Sequence, residues 1–338
     1  MTADADEDAL VREILADPWD ELARNVYADW LEDHGRPHHA ELARGPAKRN
    51  DQRVDDEGYW QAARAAAPRP GVRLIHRSGF VAAQVSGRDF VSKQFQADGP
   101  AWLRAHHITW LELEGALDWV KASASPALAE TCGLRLFCQP TGPLVLTMLA
   151  GLQAFWLPQE FGELRWLDIT AKCEELAGLV WLTVPCGWMR DTAALRRLAE
   201  GPLATGLKHL CLLTQHLSDK EATALVRPPL AGSLVTLRLA GCNLSPKAVR
   251  ALAKELTGLK NLDLAENYLS NEALAALARS PLLARLKRLG LARSKHATLG
   301  GLRAVAEAVA AVPGLRLVLS KDQGTAHNEV LGERLILE

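Results

Sequence analysis

The sequence predicts an α/β solenoid, a stack of strand–helix units with parallel strands on the concave side and helices on the convex side, preceded by a small all-α N-terminal module. Three observations carry this. A phrase of the form L-x-x-L-x-L-x-x-N-x-L returns at a near-constant interval through the second half. Helix-start signals follow the copies, and the first 45 residues show helical rather than strand periodicity.

Residues 1–45 read as two or three helices. Leu10, Ile14 and Leu15 form one apolar stripe, and Leu22, Val26, Tyr27, Trp30 and Leu31 form a second. Asp17-Pro18 supplies a cap and a first-turn proline for the second helix, and Gly35 with Pro37 ends it. On Asp17-Pro18, Asp20, Arg24 and the run Tyr27-Ala28-Asp29-Trp30-Leu31-Glu32, this stretch resembles the repeat-companion domain of planctomycete bacteria, with a departure at Asn25-Val26. That family travels with leucine-rich repeats and has no established activity, so the resemblance implies architecture and not a reaction. Residues 46–70 read as a linker with a short helix near Tyr59–Ala67, and residues 71–104 as a β-rich cap with a strand pair around Ser78-Gly79. Phe80, Val81 and Val85 would pack that cap onto the first repeat and close an open solenoid end.

Residues 105–204 hold irregular copies of the strand core. These are ITWLELEGAL (108–117), TCGLRLFCQ (131–139), LRWLDIT (164–170) and LVWLTVP (179–185), read as divergent repeats with shortened helical sides. Residues 205–320 are regular. LKHLCLLTQHL, LVTLRLAGCNL, LKNLDLAENYL, LKRLGLARSKH and VPGLRLVLS place their second leucine at 210, 237, 262, 289 and 315, steps of 27, 25, 27 and 26. Leucines at the fourth and sixth places point inward from a short strand, and their neighbours point outward. Asn or Cys at the ninth place binds backbone groups left open where the chain turns. Ser218 with Glu221, Ser245-Pro246 and Ser270 open the returning helices. The period and full helices resemble the ribonuclease-inhibitor class of leucine-rich repeats, a resemblance that implies binding without enzymatic activity. Residues 321–338 are a C-terminal cap or tail.

Composition narrows the function. Hydrophobic residues at 48% and charged residues at 23% suit a folded chain, and a net charge of −1 points to neither nucleic acid nor membrane. The charge is uneven: twelve of the 40 acids and four of the 39 bases lie in residues 1–45, leaving −8 there and +7 over the rest. The six cysteines form no Cys-x-x-Cys pair and read as buried or free thiols. The acidic N-terminus lacks the features of a secretory signal, and no apolar stretch is long enough to span a bilayer, so the expectation is cytoplasmic.

Motifs for chemistry are lacking. His34, His38 and His39, beside Asp33 and Glu41, are the densest ligand-like group, but read as exposed loop histidines without the spacing of a zinc site; His106-His107 is weaker still. Asp29, Glu32 and Asp33 read as helix-surface acids pairing with a base such as Arg24. No phosphate loop, nucleophile elbow or metalloprotease motif is found, so neither an enzyme nor a cofactor is expected. The outward strand positions are the better site: Trp110, Glu112, Arg135, Trp166, Asp168, Trp181, Thr183, His209, Cys211, Thr236, Arg238, Asn261 and Asp263. Trp110, Trp166 and Trp181 share one slot and suit a protein-binding hot spot if exposed, or core if covered. Ala240, Ala265, Gly290 and Ala292 make the later strands a poor anchor, placing the contact on the first half. The expected function is a scaffold for a protein partner. The alternatives are a nucleic-acid binder using the basic body, with steep salt dependence, and a catalytic role of the N-terminal module.

Overall fold

A computed structural model describes residues 5–16, 20–44, 54, 58–77, 80–137, 140–142, 145–146, 149–157, 165–185, 192–213, 216–256, 258–324 and 331–337. Two compact units divide the chain: residues 1–159 with 173–182, and residues 160–172 with 183–338.

In the first unit, α1 (Ala5–Ala16), α2 (Glu21–Asp33) and α3 (Pro37–Arg44) precede α4 (Gly58–Ala65). Strands β1 (Arg73–Arg77) and β2 (Phe80–Ser86) pair antiparallel. Helices α5 (Gly87–Phe90) and α6 (Lys93–Ala105) then lead to β3 (Trp110–Glu114), α7 (Trp119–Ser123), β4 (Gly133–Leu136) and β5 (Ala154–Trp156). From β2 to β5 each strand pairs parallel with the next, so Ala82, Trp110, Gly133 and Ala154 stand in one row across the strands. Leu111, Leu113, Leu134, Leu136 and Phe155 alternate with the outward positions and are buried. Strand β6 (Trp181–Val184) spans the division, and on the first-unit side the Val180 and Trp181 amides donate to the Gln153 carbonyl.

The second unit begins with α8 (Arg165–Lys172) and α9 (Thr192–Glu200). It continues through β7 (His209–Leu212), α10 (Asp219–Leu225), α11 (Leu230–Ser233), β8 (Thr236–Arg238), α12 (Pro246–Glu255) and β9 (Asn261–Asp263). Its last elements are α13 (Asn271–Ala278), β10 (Arg288–Gly290), α14 (Leu299–Ala310), β11 (Arg316–Leu319), α15 (Lys321–Gly324) and β12 (Leu335–Leu337). Strands β7 to β12 pair parallel in chain order. The expected caps form. Ser245 and Ser270 accept from Ala248 and Ala273 amides at 3.0 and 3.3 Å, and Ser218 with Glu221 makes the capping box.

The ninth-place residue does what its chemistry predicts. Buried Asn267 donates to the Leu239 and Leu264 carbonyls at 2.7 and 3.0 Å and accepts from the Leu244 amide at 3.2 Å. At the same place one repeat earlier, the Cys242 thiol donates to the Leu212 carbonyl at 3.2 Å; one repeat later, Ser294 donates to the Leu291 carbonyl at 2.7 Å. Parallel strands, a buried leucine row, returning helices and this turn ladder together make an α/β leucine-rich repeat fold.

Several local expectations are corrected. The strand expected over 164–170 is instead helix in its described part: Arg165–Lys172 is helix α8, with Leu167, Thr170 and Ala171 buried at helical spacing. The strand of that repeat is β5, with Phe155 in the leucine register. Helix α2 is capped by Asp20, which accepts from the Leu22 and Ala23 amides at 3.0 and 3.3 Å; Asp17 and Pro18 lie outside the described residues. Leu22 and Val26 are exposed, so only Tyr27 and Leu31 of their stripe are fully buried. His38 and His39 belong to α3 rather than to a loop. Residues 71–104, expected to be β-rich, also hold α6, in which Phe95 and Leu103 are buried. Ser78 and Gly79, like Cys138 and Cys186, lie outside the described residues.

Candidate functional site

On the first unit the outward strand positions build a continuous aromatic ladder. The rings of Phe80 and Trp110 stack at 5.4 Å, Trp110 meets Trp156 edge-on at 5.0 Å, and Trp156 meets Trp181 at 4.7 Å. Gly133 permits this, because a Cβ there would stand 2.4 Å from the Trp110 indole. The ladder is not open. Val11, Ile14 and Leu15 of α1, Tyr27, Ala28 and Leu31 of α2, and Ala40 and Ala43 of α3 share one buried cluster with Phe80, Ala82, Trp110, Ala154 and Trp181. The Tyr27 ring lies 5.8 Å from Phe80. Trp110 is 1% exposed and Trp181 7%, so the expected tryptophan hot spot is covered by the chain's own N-terminal helices.

Inside this cover, Glu7 accepts from Arg36 at 2.7 Å and from the Tyr27 hydroxyl at 3.1 Å, tying α1 to α2 and to the turn before α3. Burial first, then the Glu7 charge, pushes the Tyr27 phenol well up. Asp29 and Glu32 pair with Arg44, not Arg24. His34 stacks on Trp30 at 3.8 Å. Among the described residues no three His, Cys, Asp or Glu side chains converge on a point that would hold a metal.

The remaining expected positions separate by exposure. Glu112 is fully buried, 3.9 Å from the Arg135 guanidinium, which lies over the half-exposed Phe137 ring at 3.9 Å. Trp166 and Asp168 leave the strand face, since both lie on α8; the Trp166 side chain is outside the described residues, and Asp168 pairs with Lys172 at 2.5 Å and with Arg197. Thr183, His209, Cys211, Thr236 and Asn261 are buried, with the Asn261 amide donating to Thr236 Oγ1 at 3.2 Å. Burial, then Arg238, drives His209 far down, and burial pushes the Cys211 thiol up to about 11. Arg238 and Asp263, paired at 3.0 Å, keep part of their side chains in solvent, and Arg316 is exposed.

An open surface lies elsewhere, along the turns that leave the second-unit strands. His216, Gly241, Asn243, Glu266, Tyr268, Arg293 and Lys295 line an open groove of about 450 Å³. The repeat register makes this groove. His216, Asn243, Tyr268 and Lys295 each follow the ninth-place residue, while Gly241, Glu266 and Arg293 each precede it. Tyr268 is 40% exposed; the Lys295 ammonium sits 5.0 Å from its ring centroid and 3.3 Å from its hydroxyl, and His296 meets the ring edge-on at 5.0 Å. Glu266 and Arg293 pair at 2.8 Å. Their φ values of 58° and 56° are left-handed, as is the 68° of Gly241 at the same register, so two charged residues occupy a conformation that glycine adopts at lower cost. Sequence reasoning passed over this groove, although the Tyr in LAENYL was a signal: a large aromatic just after a buried Asn must face out.

Comparison of the sequence with family profiles and with curated proteins gives no match. Among solved structures, the chain is similar to an internalin from Listeria monocytogenes, with 16% identity, a TM-score of 0.37, and coverage of 82% of this chain and 87% of that one. It is also similar to TLR13, solved in complex with ssRNA13, with 19% identity, a TM-score of 0.34, and coverage of 63% of this chain and 29% of that one. The repeat fold itself rests on the strand pairing and the buried turn ladder. No helix among the described residues is long and apolar enough to cross a membrane.

Proposed function

We propose that the chain is a non-catalytic interaction scaffold whose protein partner docks on the turn groove and adjoining strand face of the second unit. The observation that carries this is the exposed Tyr268, flanked by Lys295, Asn243 and the Glu266–Arg293 pair, in a groove of about 450 Å³. An aromatic ring with an amphipathic rim and charges of both signs suits a polar, specific protein contact. Left-handed turn positions held by Glu and Arg rather than Gly favour a functional role for those charges. Arg238, Asp263 and Arg316 extend the surface across the strands.

The nucleic-acid reading has one feature in its favour, a groove of about 250 Å³ on the helical side lined by Arg196, Lys220, Arg227 and Lys247. Glu200 pairs with Arg227 at 2.6 Å and Asp219 lies 3.8 Å from Lys247, which takes away much of the positive field a phosphate backbone would need. The protein partner is therefore preferred.

The test is proximity cross-linking from position 243 in native lysate, comparing wild type with Tyr268→Ala and with Val120→Ala, an exposed residue of the first unit. A partner cross-linked to wild type and to Val120→Ala, and reduced at least tenfold in Tyr268→Ala, supports the groove. Equal capture by all three removes it, and recovery of nuclease-sensitive nucleic acid replaces the protein-scaffold reading.

A further inference from the structure

Helices α1–α3 meet the rest of the first unit along two lines. One is the apolar contact with the aromatic ladder. The other is a cluster of imidazoles and aromatic rings at α3. His39 Nε2 lies 3.0 Å from the His106 carbonyl, and its ring meets Trp60 at 4.8 Å and His107 at 5.9 Å, both edge-on. His38 stacks on Tyr59 at 4.7 Å, and the Tyr59 hydroxyl lies 3.3 Å from His106 Nδ1. Nearby, His76 Nε2 of β1 lies 3.2 Å from the Leu42 carbonyl. Two imidazoles thus join α3 to the strands and to the end of α6 through main-chain carbonyls.

This joint holds best with neutral rings. A neutral His39 donates from Nε2 to the His106 carbonyl and carries no proton on Nδ1. A second proton would place a cation among Tyr59 and Trp60, beside the Arg36 guanidinium and facing His107 and His106. Glu7, the carboxylate that acts on His107, already accepts from Arg36 and Tyr27. We propose that the α3 junction is an acid-operated release: protonation of His39, with His106 and His107 beside it, lifts α1–α3 from the strand face and bares the ladder of Phe80, Trp110, Trp156 and Trp181. This device is independent of the partner groove on the second unit.

The sign follows from the surroundings. Burial first, then Arg36, then His107, holds His39 down at about 4, below the ~6.5 of a free imidazole. Burial lowers His106 and His107 as well. Docking is therefore at full strength above about 6.5 and weakens as pH falls from there toward about 4. For His39 alone, the docking equilibrium shifts about 30-fold toward release between pH 7.5 and pH 5.

Hydrogen exchange on the full chain at pH 7.5, 6 and 5, corrected for the pH dependence of intrinsic exchange, tests this. Peptides from residues 5–44 are expected to lose about 30-fold in protection by pH 5. The His39→Gln variant keeps an N–H donor for the His106 carbonyl but does not titrate, and is expected to stay protected at pH 5. Unchanged wild-type protection at pH 5, or loss in His39→Gln equal to that in wild type, overturns the proposal. If His39→Gln does not fold at pH 7.5, histidine titration of wild type by NMR decides. A His39 midpoint well below ~6.5 supports the release, and a midpoint near ~6.5 overturns it.

Discussion

Asn267 shows how much one amide side chain does in a repeat. Its buried carboxamide meets three main-chain carbonyls, those of Leu239, Leu264 and Ala265, and one main-chain amide, that of Leu244. Asn267→Ala leaves those groups unsatisfied and is expected to cost about 2–3 kcal/mol in urea unfolding, at an unchanged m-value. A loss under ~0.5 kcal/mol would mean that the turn relaxes around the gap. Gly133 is a steric counterpart. With a Cβ position 2.4 Å from the Trp110 indole, Gly133→Ala must displace the ring, and is expected to cost about 1–3 kcal/mol. Chemical denaturation beside the conservative Trp110→Phe variant checks it: the smaller ring should recover part of the loss when the two changes are combined. The two residues show where single-position reading succeeds and where it fails. The role of the ninth-place Asn follows from residue type and spacing, while nothing in the sequence near Gly133 says that an indole 23 residues earlier lies over it.

At the scale of elements, the caps carry testable increments. Ser245 accepts from the Ala248 amide at 3.0 Å and donates to Asp219 of α10. Ser245→Ala is expected to cost about 1 kcal/mol, seen as a lower urea midpoint, and Ser245→Asp to lose the link to Asp219 while keeping the cap. The regular helices and strands were legible because leucine spacing, caps and turn residues all agree from residue 205 onward. The first half was less so, for two physical reasons. Phe155 replaces the register leucine of β5 and follows Leu134 by only 21 residues, so the strand hides inside an apolar run. Residues 164–170 satisfy both periods: their apolar positions fit a strand phrase, yet Leu167, Thr170 and Ala171 bury one helical face, and Asp168 and Lys172 pair one turn apart. The aromatic slots of Trp110 and Trp181 were readable, but their cover was not, because it joins residues 5–44 to strands far along the chain. Burial of that kind is a property of the pairing and leaves no local periodicity.

For the whole molecule, acid is expected to act through a buried histidine in each unit before it reaches the paired carboxylates. In the first, the depressed His39 gives stability that is complete above ~6.5 and lost toward about 4. In the second, burial works to raise Glu221, but hydrogen bonds from Ser218, Thr192 and the Ser218 amide outweigh it and hold the carboxyl below its ordinary range. A lowered carboxyl stabilises above its unfolded pKa and gives that up only as pH falls below it. Burial keeps His209 of the second unit neutral in the same way, so calorimetry should show both transitions moving down between pH 7 and pH 5, and His39→Gln sparing the first alone. A first-unit transition that moves as far in His39→Gln as in wild type would show that His39 carries none of this loss.

The distribution of indoles gives the cover over the ladder an optical consequence. Eight of the ten tryptophans lie in the first unit, and none lies beyond Trp188, so the regular repeats carry no indole at all. Steady-state emission from this protein is thus dominated by one end of the chain. A red shift would signal water reaching Trp110, Trp156 and Trp181 as α1–α3 leave, while the regular repeats could unravel with little colour change. Fluorescence alone would make a half-unfolded molecule pass for a folded one.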